Sequence, residues 1–350
     1  ILIMLSITVG AALALFAWRA PKVGLGARFS MLSRETMLLA NNVLLVVATG
    51  AVMLGTLYPL ILDALGLGKI SVGAPYFDAV FVPIMAVLVF FMGIGPLARW
   101  KKDELPALGL RLRWAAAVTV ISAALAAWIG GELTFGSVVG LLMAFWIVAS
   151  VAAELWERVR PVGGVRTQVL HRLGQVPRAI AGMMLAHVGV AVFVFGVTMV
   201  GTYDIERDVA MSPGESTTVR GYTFTYMGAQ SVRGPNFDAM RGHLVVTRDG
   251  KPVSDMYPEK RVYRIQQNPM TEAAIDSRIK GDLYVQLGEV IKGDTWLVRI
   301  WVKPFVSWIW FGCLMMGLGG MLAVTDRRYR VRATQPGGSR PTATGSPAAP

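Results

Sequence analysis

Seven runs of about 20 apolar residues, each long enough to cross a hydrocarbon core of about 30 Å as a helix, fall near residues 1–18, 38–58, 79–98, 112–129, 134–153, 180–200 and 305–325. No soluble core absorbs that many uninterrupted apolar stretches. The predicted fold class is therefore an α-helical polytopic membrane protein. The balance of the chain agrees: 54% of its 350 residues are hydrophobic and 16% charged, against about a quarter charged in soluble domains, and the mean hydropathy is +0.52. Lys and Arg outnumber Asp and Glu by 34 to 22, yet the excess does not form a nucleic-acid surface. It collects in alternate loops, at Arg19, Lys22, Arg28 and Arg34, then Arg99 to Arg113, then Arg158 to Arg178, and in the tail from Arg327 to Arg340. Basic loops mark the cytoplasmic side, which predicts residue 1, residues 59–78, the turn Gly130-Gly131-Glu132 and residues 201–304 on the outer side. The chain begins Ile1-Leu2-Ile3-Met4, which reads as a helix cut at its outer end.

Residues 201–304 are the only long polar stretch, with 14 Lys plus Arg against 13 Asp plus Glu. Alternating runs predict strands at 218–226, 244–247, 252–256, 261–266, 283–287 and 296–302, and Asp249-Gly250 between two of them is a hairpin signal. The predicted organisation is a six-span helical region over 1–200, a small β-rich extracytoplasmic domain over 201–304, a last span over 305–325 and a disordered cytoplasmic tail over 326–350. Ser33 is placed to cap the second span, with Glu35 favourable in its first turn.

With one cysteine and three histidines, a disulfide framework, a cysteine-rich zinc site and a cysteine-ligated iron–sulfur cluster are excluded within the chain. His187 stands in a span without a charged residue between Arg178 and Asp204 and is read as near the outer third of that span. An ionisable residue there is costly and is a functional candidate by default. It is either a neutral histidine bonded to a neighbouring helix or an axial ligand to haem iron. Gly182, Ala186, Gly189 and Gly196 form a small-residue seam that admits a partner helix or a flat macrocycle. A methionine partner on the iron would come from Met184, Met315 or Met316. His171 and His243 lie in loops on opposite sides and read as solvated or structural, and Cys313 reads as a small buried residue. Trp296, Trp301, Trp308 and Trp310 read as an aromatic belt where the outer domain joins the last span. No carboxylate falls inside a span as drawn.

The strings Leu32-Ser33-Arg34-Glu35, Leu39-Ala40-Asn41-Asn42-Val43-Leu44-Leu45, Gly55-Thr56-Leu57-Tyr58-Pro59-Leu60 and Ile70-Ser71-Val72-Gly73-Ala74-Pro75-Tyr76-Phe77, with Leu185-Ala186-His187, Pro269 to Ile275 and Lys303 to Trp310, closely resemble the C-terminal half of the CcmF family. That family is the haem-handling membrane subunit of bacterial system I cytochrome c maturation, and the motifs do not separate it from its paralogue in nitrite-reductase cytochrome assembly. The resemblance runs from Ile1 to about Arg330. It implies part of a haem lyase complex in the bacterial inner membrane, with the β-rich domain in the periplasm, that joins haem covalently to apocytochrome c. It implies His187 as the second of two transmembrane histidines holding a haem b. The first of those histidines, the tryptophan-rich external motif and the two external haem ligands belong to the N-terminal half, so this chain alone is expected to be inactive. Implied partners are apocytochrome c, a CcmE-type haem chaperone, CcmH/CcmI-type subunits, membrane lipids and a quinol as electron donor. A haem transporter or exporter and a non-catalytic membrane assembly scaffold are the alternative classes. Against transport, the spans lack polar stripes and paired Gly or Pro interruptions.

Overall fold

A computed structural model describes residues 2–20, 29–130, 134–161, 168–265 and 267–326. The turn at Gly131-Glu132, the basic residues Lys22, Arg28 and Arg166, and the tail from 327 onward lie outside the described residues. Eight helices are described: α1 (Leu2–Arg19), α2 (Arg34–Ala64), α3 (Ala74–Ile94), α4 (Leu105–Gly130), α5 (Phe135–Val159), α6 (Gln168–Gly174), α7 (Arg178–Tyr203) and α8 (Val306–Val324). Six of them, α2, α3, α4, α5, α7 and α8, are long and apolar enough to cross a membrane. The predicted first span is also helical and apolar, as α1, with Ser6–Arg19 counted among the shorter apolar helices.

The chain divides into two compact units, Ile1–Ile84 with Leu97–Gly109 and Met85–Pro96 with Leu110–Pro350. In the first unit Ser33 is the N-cap of α2 and accepts a hydrogen bond from the Thr36 amide at 3.2 Å. The Glu35 carboxylate accepts from the Lys101 amide at 2.8 Å, and the Asp103 amide donates to the Leu32 carbonyl at 2.8 Å. Residues 30–34, at the start of α2, are thus tied by backbone bonds to residues 99–103. Further along, the Tyr76 hydroxyl donates to the Ala51 carbonyl at 2.9 Å. Its ring lies against Gly55, where a Cβ would come within 2.6 Å of it.

The second unit is built on α7 and α8. Gly182, Gly189 and Gly196 recur every seven residues, so they share one face of α7, and each meets α8 at a distance that leaves no room for a side chain. A Cβ on Gly189 would lie 2.7 Å from the Met316 nitrogen, and one on Gly312 would lie 2.6 Å from the Phe193 nitrogen. The two helices are continued by two strands. Tyr203 leads through Asp204 into β1 (Ile205–Met211), and β10 (Thr295–Lys303) returns through Phe305 to α8. β1 and β10 pair antiparallel, with Ile205 opposite Val302 and Met211 opposite Trp296.

Between them lie β2 (Ser216–Val219), β3 (Tyr222–Arg233), β4 (Phe237–Arg248), β5 (Lys251–Met256), β6 (Glu259–Tyr263), β7 (Pro269–Glu272), β8 (Ala274–Asp276) and β9 (Asp282–Lys292). One sheet runs β1-β10-β9-β8 and the other β2-β3-β4-β6-β7, with β5 added against β4. Their inner faces share one core of Phe224, Tyr226, Leu244, Val246, Val285, Leu287, Val298 and Ile300, all fully buried. In β10 buried and half-buried residues alternate along the whole strand, as expected of a strand with one face on a core.

The predicted strand 218–226 is in fact a hairpin. Arg220 and Gly221 adopt φ of 49° and 76°, the pair of left-handed residues that a two-residue type I′ turn requires. Asp249-Gly250, with φ of 51° and 72°, turns as its sequence predicts. Trp296, expected at the membrane junction, is instead buried in the sandwich at the end of β10 distant from the helices. The junction itself is closed by Phe305, whose ring lies 6.0 Å from Phe195 and 6.2 Å from Tyr203.

Across β4 and β6, Glu259 faces Arg241 and is almost fully buried. Its carboxylate accepts from Arg241 at 2.5 Å and from Arg261 at 2.6 Å. Burial alone raises its pKa, but the bonds from Arg261 and Arg241 outweigh it and hold the group below the usual 4.5. A carboxylate depressed by folding contributes stability above its unfolded pKa and loses it as pH falls through the folded value. Glu259→Gln should therefore cost the domain about 2 kcal/mol at pH 7, the scale of charge-assisted bonds, and flatten its stability profile below about pH 4.5. Hydrogen exchange of β4 and β6 in the full chain, followed as a function of pH, measures both.

Candidate functional site

His187 lies on α7 nine residues after Arg178, about 14 Å along the axis at 1.5 Å per residue. It therefore sits nearer the basic end than the domain end, which corrects the position inferred from the sequence. Helical spacing puts it on one face with Ile180, Met183, Met184, Ala191 and Val194. Those residues pack with Val89 of α3 and Ile147 and Val151 of α5. The glycine seam occupies the opposite side of α7, and α8 fills it. The seam thus brings in a helix backbone rather than a macrocycle.

The ring of His187 is half-buried, and its Nδ1 is 2.8 Å from the Met183 carbonyl oxygen one turn back. A carbonyl only accepts, so Nδ1 is the donor of this bond, and the tautomer it selects carries its lone pair on Nε2. This is the arrangement that orients a ligating imidazole, with the second nitrogen fixed by a backbone acceptor. An apolar helix face and a ring held through Nδ1 fit one ligand of a haem. Among the described residues no cluster of three His, Cys, Asp or Glu forms a metal site, so the donor set suits a single axial bond and not a closed multi-ligand cage.

The other predicted residues are dispersed. His171, on α6, is hydrogen-bonded to Gln175 at 2.9 Å, and His243, on β4, stacks on Tyr257 at 4.8 Å and bonds Asp255 at 3.2 Å. They lie beyond opposite ends of α7. Met184 shares the helix of His187, and Met316 lies against Gly189 on the seam side, so neither is placed across a macrocycle from His187. Met92 of α3 and Met143 of α5 pack against the cluster on the His187 face, a placement that only tertiary structure reveals. Cys313, expected to be buried, is exposed. α8 buries only Gly312 and Gly319 on the side that meets α7.

Sequence reasoning also missed Glu154. The fifth apolar run ends at 153, but α5 continues to Val159, and Glu154 is buried on the side that packs against α7. Arg158 donates to its Oε1 at 2.8 Å, while Oε2 and the hydroxyl of Ser150, one turn away, have no hydrogen-bond partner among the described residues.

Fold and site together define a class: a polytopic helical membrane protein with a β-sandwich between its last two long helices and a histidine on the packed face of the penultimate one. A family model described as the CcmF C-terminal beta-sandwich matches residues 202–304. The cytochrome c-type biogenesis protein CcmF of Pseudomonas aeruginosa is 44% identical over 332 residues, covering 95% of this chain and 50% of that protein. CcmF of Escherichia coli K12 is 41% identical over 335 residues, covering 95% and 50%. The protein NrfE of Haemophilus influenzae is 32% identical, covering 94% and 50%. A solved cytochrome c haem lyase CcmF shares the fold at a TM-score of 0.63 and 23% identity, over 85% of this chain and 46% of that one. The chain is similar to CcmF proteins over nearly its whole length, and it spans about half the length of the curated relatives it matches.

Proposed function

We propose that the chain is part of a cytochrome c haem lyase, in which His187 ligates the iron of a haem b buried among the membrane helices. The observation that carries this reading is the Nδ1 bond to the Met183 carbonyl, which leaves Nε2 available on an apolar, helix-packed face. The names of the relatives, all c-type cytochrome biogenesis proteins, support the reaction class. A bound haem supplies a one-electron redox centre. The residues of this chain do the rest. Met183 fixes the ring, Ile147, Val151 and Met184 keep water from it, and the glycine-packed α8 holds α7 rigid behind it. His187 would be the one residue of this chain to hold the iron, and any further ligand would lie in the part of the relatives' length that this chain does not span.

In this reading the β-sandwich faces the periplasm, where an apocytochrome c, a CcmE-type haem chaperone and CcmH/CcmI-type subunits would meet it, and a quinol would be the electron donor. The basic residues gathered at the opposite ends of the helices support that orientation. Purification with the partner that restores the full family length, followed by a haem spectrum with and without His187→Ala, tests the assignment. A b-type spectrum that depends on His187 is expected.

A further inference from the structure

α5 has two working faces. Ile147, Val151 and Glu154 lie on the face that packs against α7, and Arg158 is bound to Glu154. The other face, with α4, lines a groove of about 560 Å³. α4 and α5 run in opposite directions, so the start of one and the end of the other bring Arg111, Arg113 and Arg160 to the same end of this groove, with Glu157 as its one acidic residue. Trp114 and Trp156 stand at that level, 68% and 59% exposed, and the Arg113 guanidinium lies 5.4 Å from the Trp114 ring centre. Away from the charges the wall becomes Ala115, Val118, Ala149 and Ala153. The small residues keep the helices from filling the space: Ala115 and Ala149 pack together with Trp146 at its back.

We infer that this groove binds one anionic phospholipid, its phosphate on the arginine rim and an acyl chain along the alanine wall. The polarity gradient matches such a molecule end to end. Arg113 and Arg160 against the one carboxylate of Glu157 select a negative headgroup, two tryptophans mark the interfacial depth, and basic pockets between membrane helices are a recognised way to hold acidic lipids. A zwitterionic lipid gains the same apolar contact without the net charge attraction, and free phosphate gains the rim without the wall.

The test is native mass spectrometry of the full chain released from bilayers of phosphatidylcholine mixed with phosphatidylglycerol. One phosphatidylglycerol should be retained with a preference of about fivefold, the scale of one net basic charge at the surface. Arg113→Gln with Arg160→Gln should bring the preference near one. Ala153→Phe, which fills the groove and leaves the rim intact, should remove the retained lipid altogether. Inorganic phosphate at millimolar concentration should not displace the lipid. Equal retention of both lipids, unchanged preference in the arginine variant, displacement by phosphate, or a lipid-free dimer that Ala153→Phe dissociates would each overturn the inference.

Discussion

Gly312→Val should detach α8 from α7 and cost about 3 kcal/mol, the upper range for overpacking a close contact. A Cβ at this position falls 2.6 Å from the Phe193 nitrogen and 2.7 Å from the Gly189 carbonyl oxygen. Both are backbone atoms of a helix, so neither gives way by a rotamer change. Two further branches on that Cβ have to move one helix relative to the other. The displacement does not stay local, because β1 and β10 extend the same two helices into the sandwich and α7 carries His187 on its other side. Retention of monomeric, folded protein after graded heating in detergent measures the loss. Gly317→Val on the same helix, where a Cβ meets nothing within 4 Å, should leave it nearly unchanged.

The helices were legible because crossing a bilayer demands a length of apolar sequence that nothing else requires. The β-sandwich was legible because a strand with one buried face alternates, as Trp296 to Val302 does in β10. What failed was information that sequence carries weakly. Arg220-Gly221 is a turn only because Arg220 accepts a left-handed conformation, so a hairpin read as one strand. Trp296 is aromatic whether it lies in a belt or a core, and only its register opposite Met211 decides. Glu154 escaped because hydropathy ends a span where charge begins, whereas α5 continues one and a half turns further with Arg158 satisfying one oxygen of the carboxylate. The seam announced a close approach without naming its partner, and α8 supplies it. His187 was conspicuous as a lone ionisable residue. Its ring orientation follows from a bond one turn back along its own helix, but the side it faces depends on α5 and α3.

The second large effect concerns iron. With the remaining half of the relatives' length restored, His187→Ala should abolish stable haem binding, since it removes the proposed iron ligand. Met92→Leu and Met143→Leu, on the same packed face, should leave the spectrum six-coordinate if the second ligand is a histidine from that other half. The most direct measurement is the reduced-minus-oxidised spectrum of the purified, restored assembly, taken for the unaltered chain, for His187→Ala and for His187→Ala supplied with imidazole. A low-spin b-type spectrum is expected in the first, its loss in the second and its partial return in the third, when an exogenous ligand takes the place of the imidazole. A b-type spectrum of undiminished intensity in the His187→Ala assembly without imidazole would contradict the assignment.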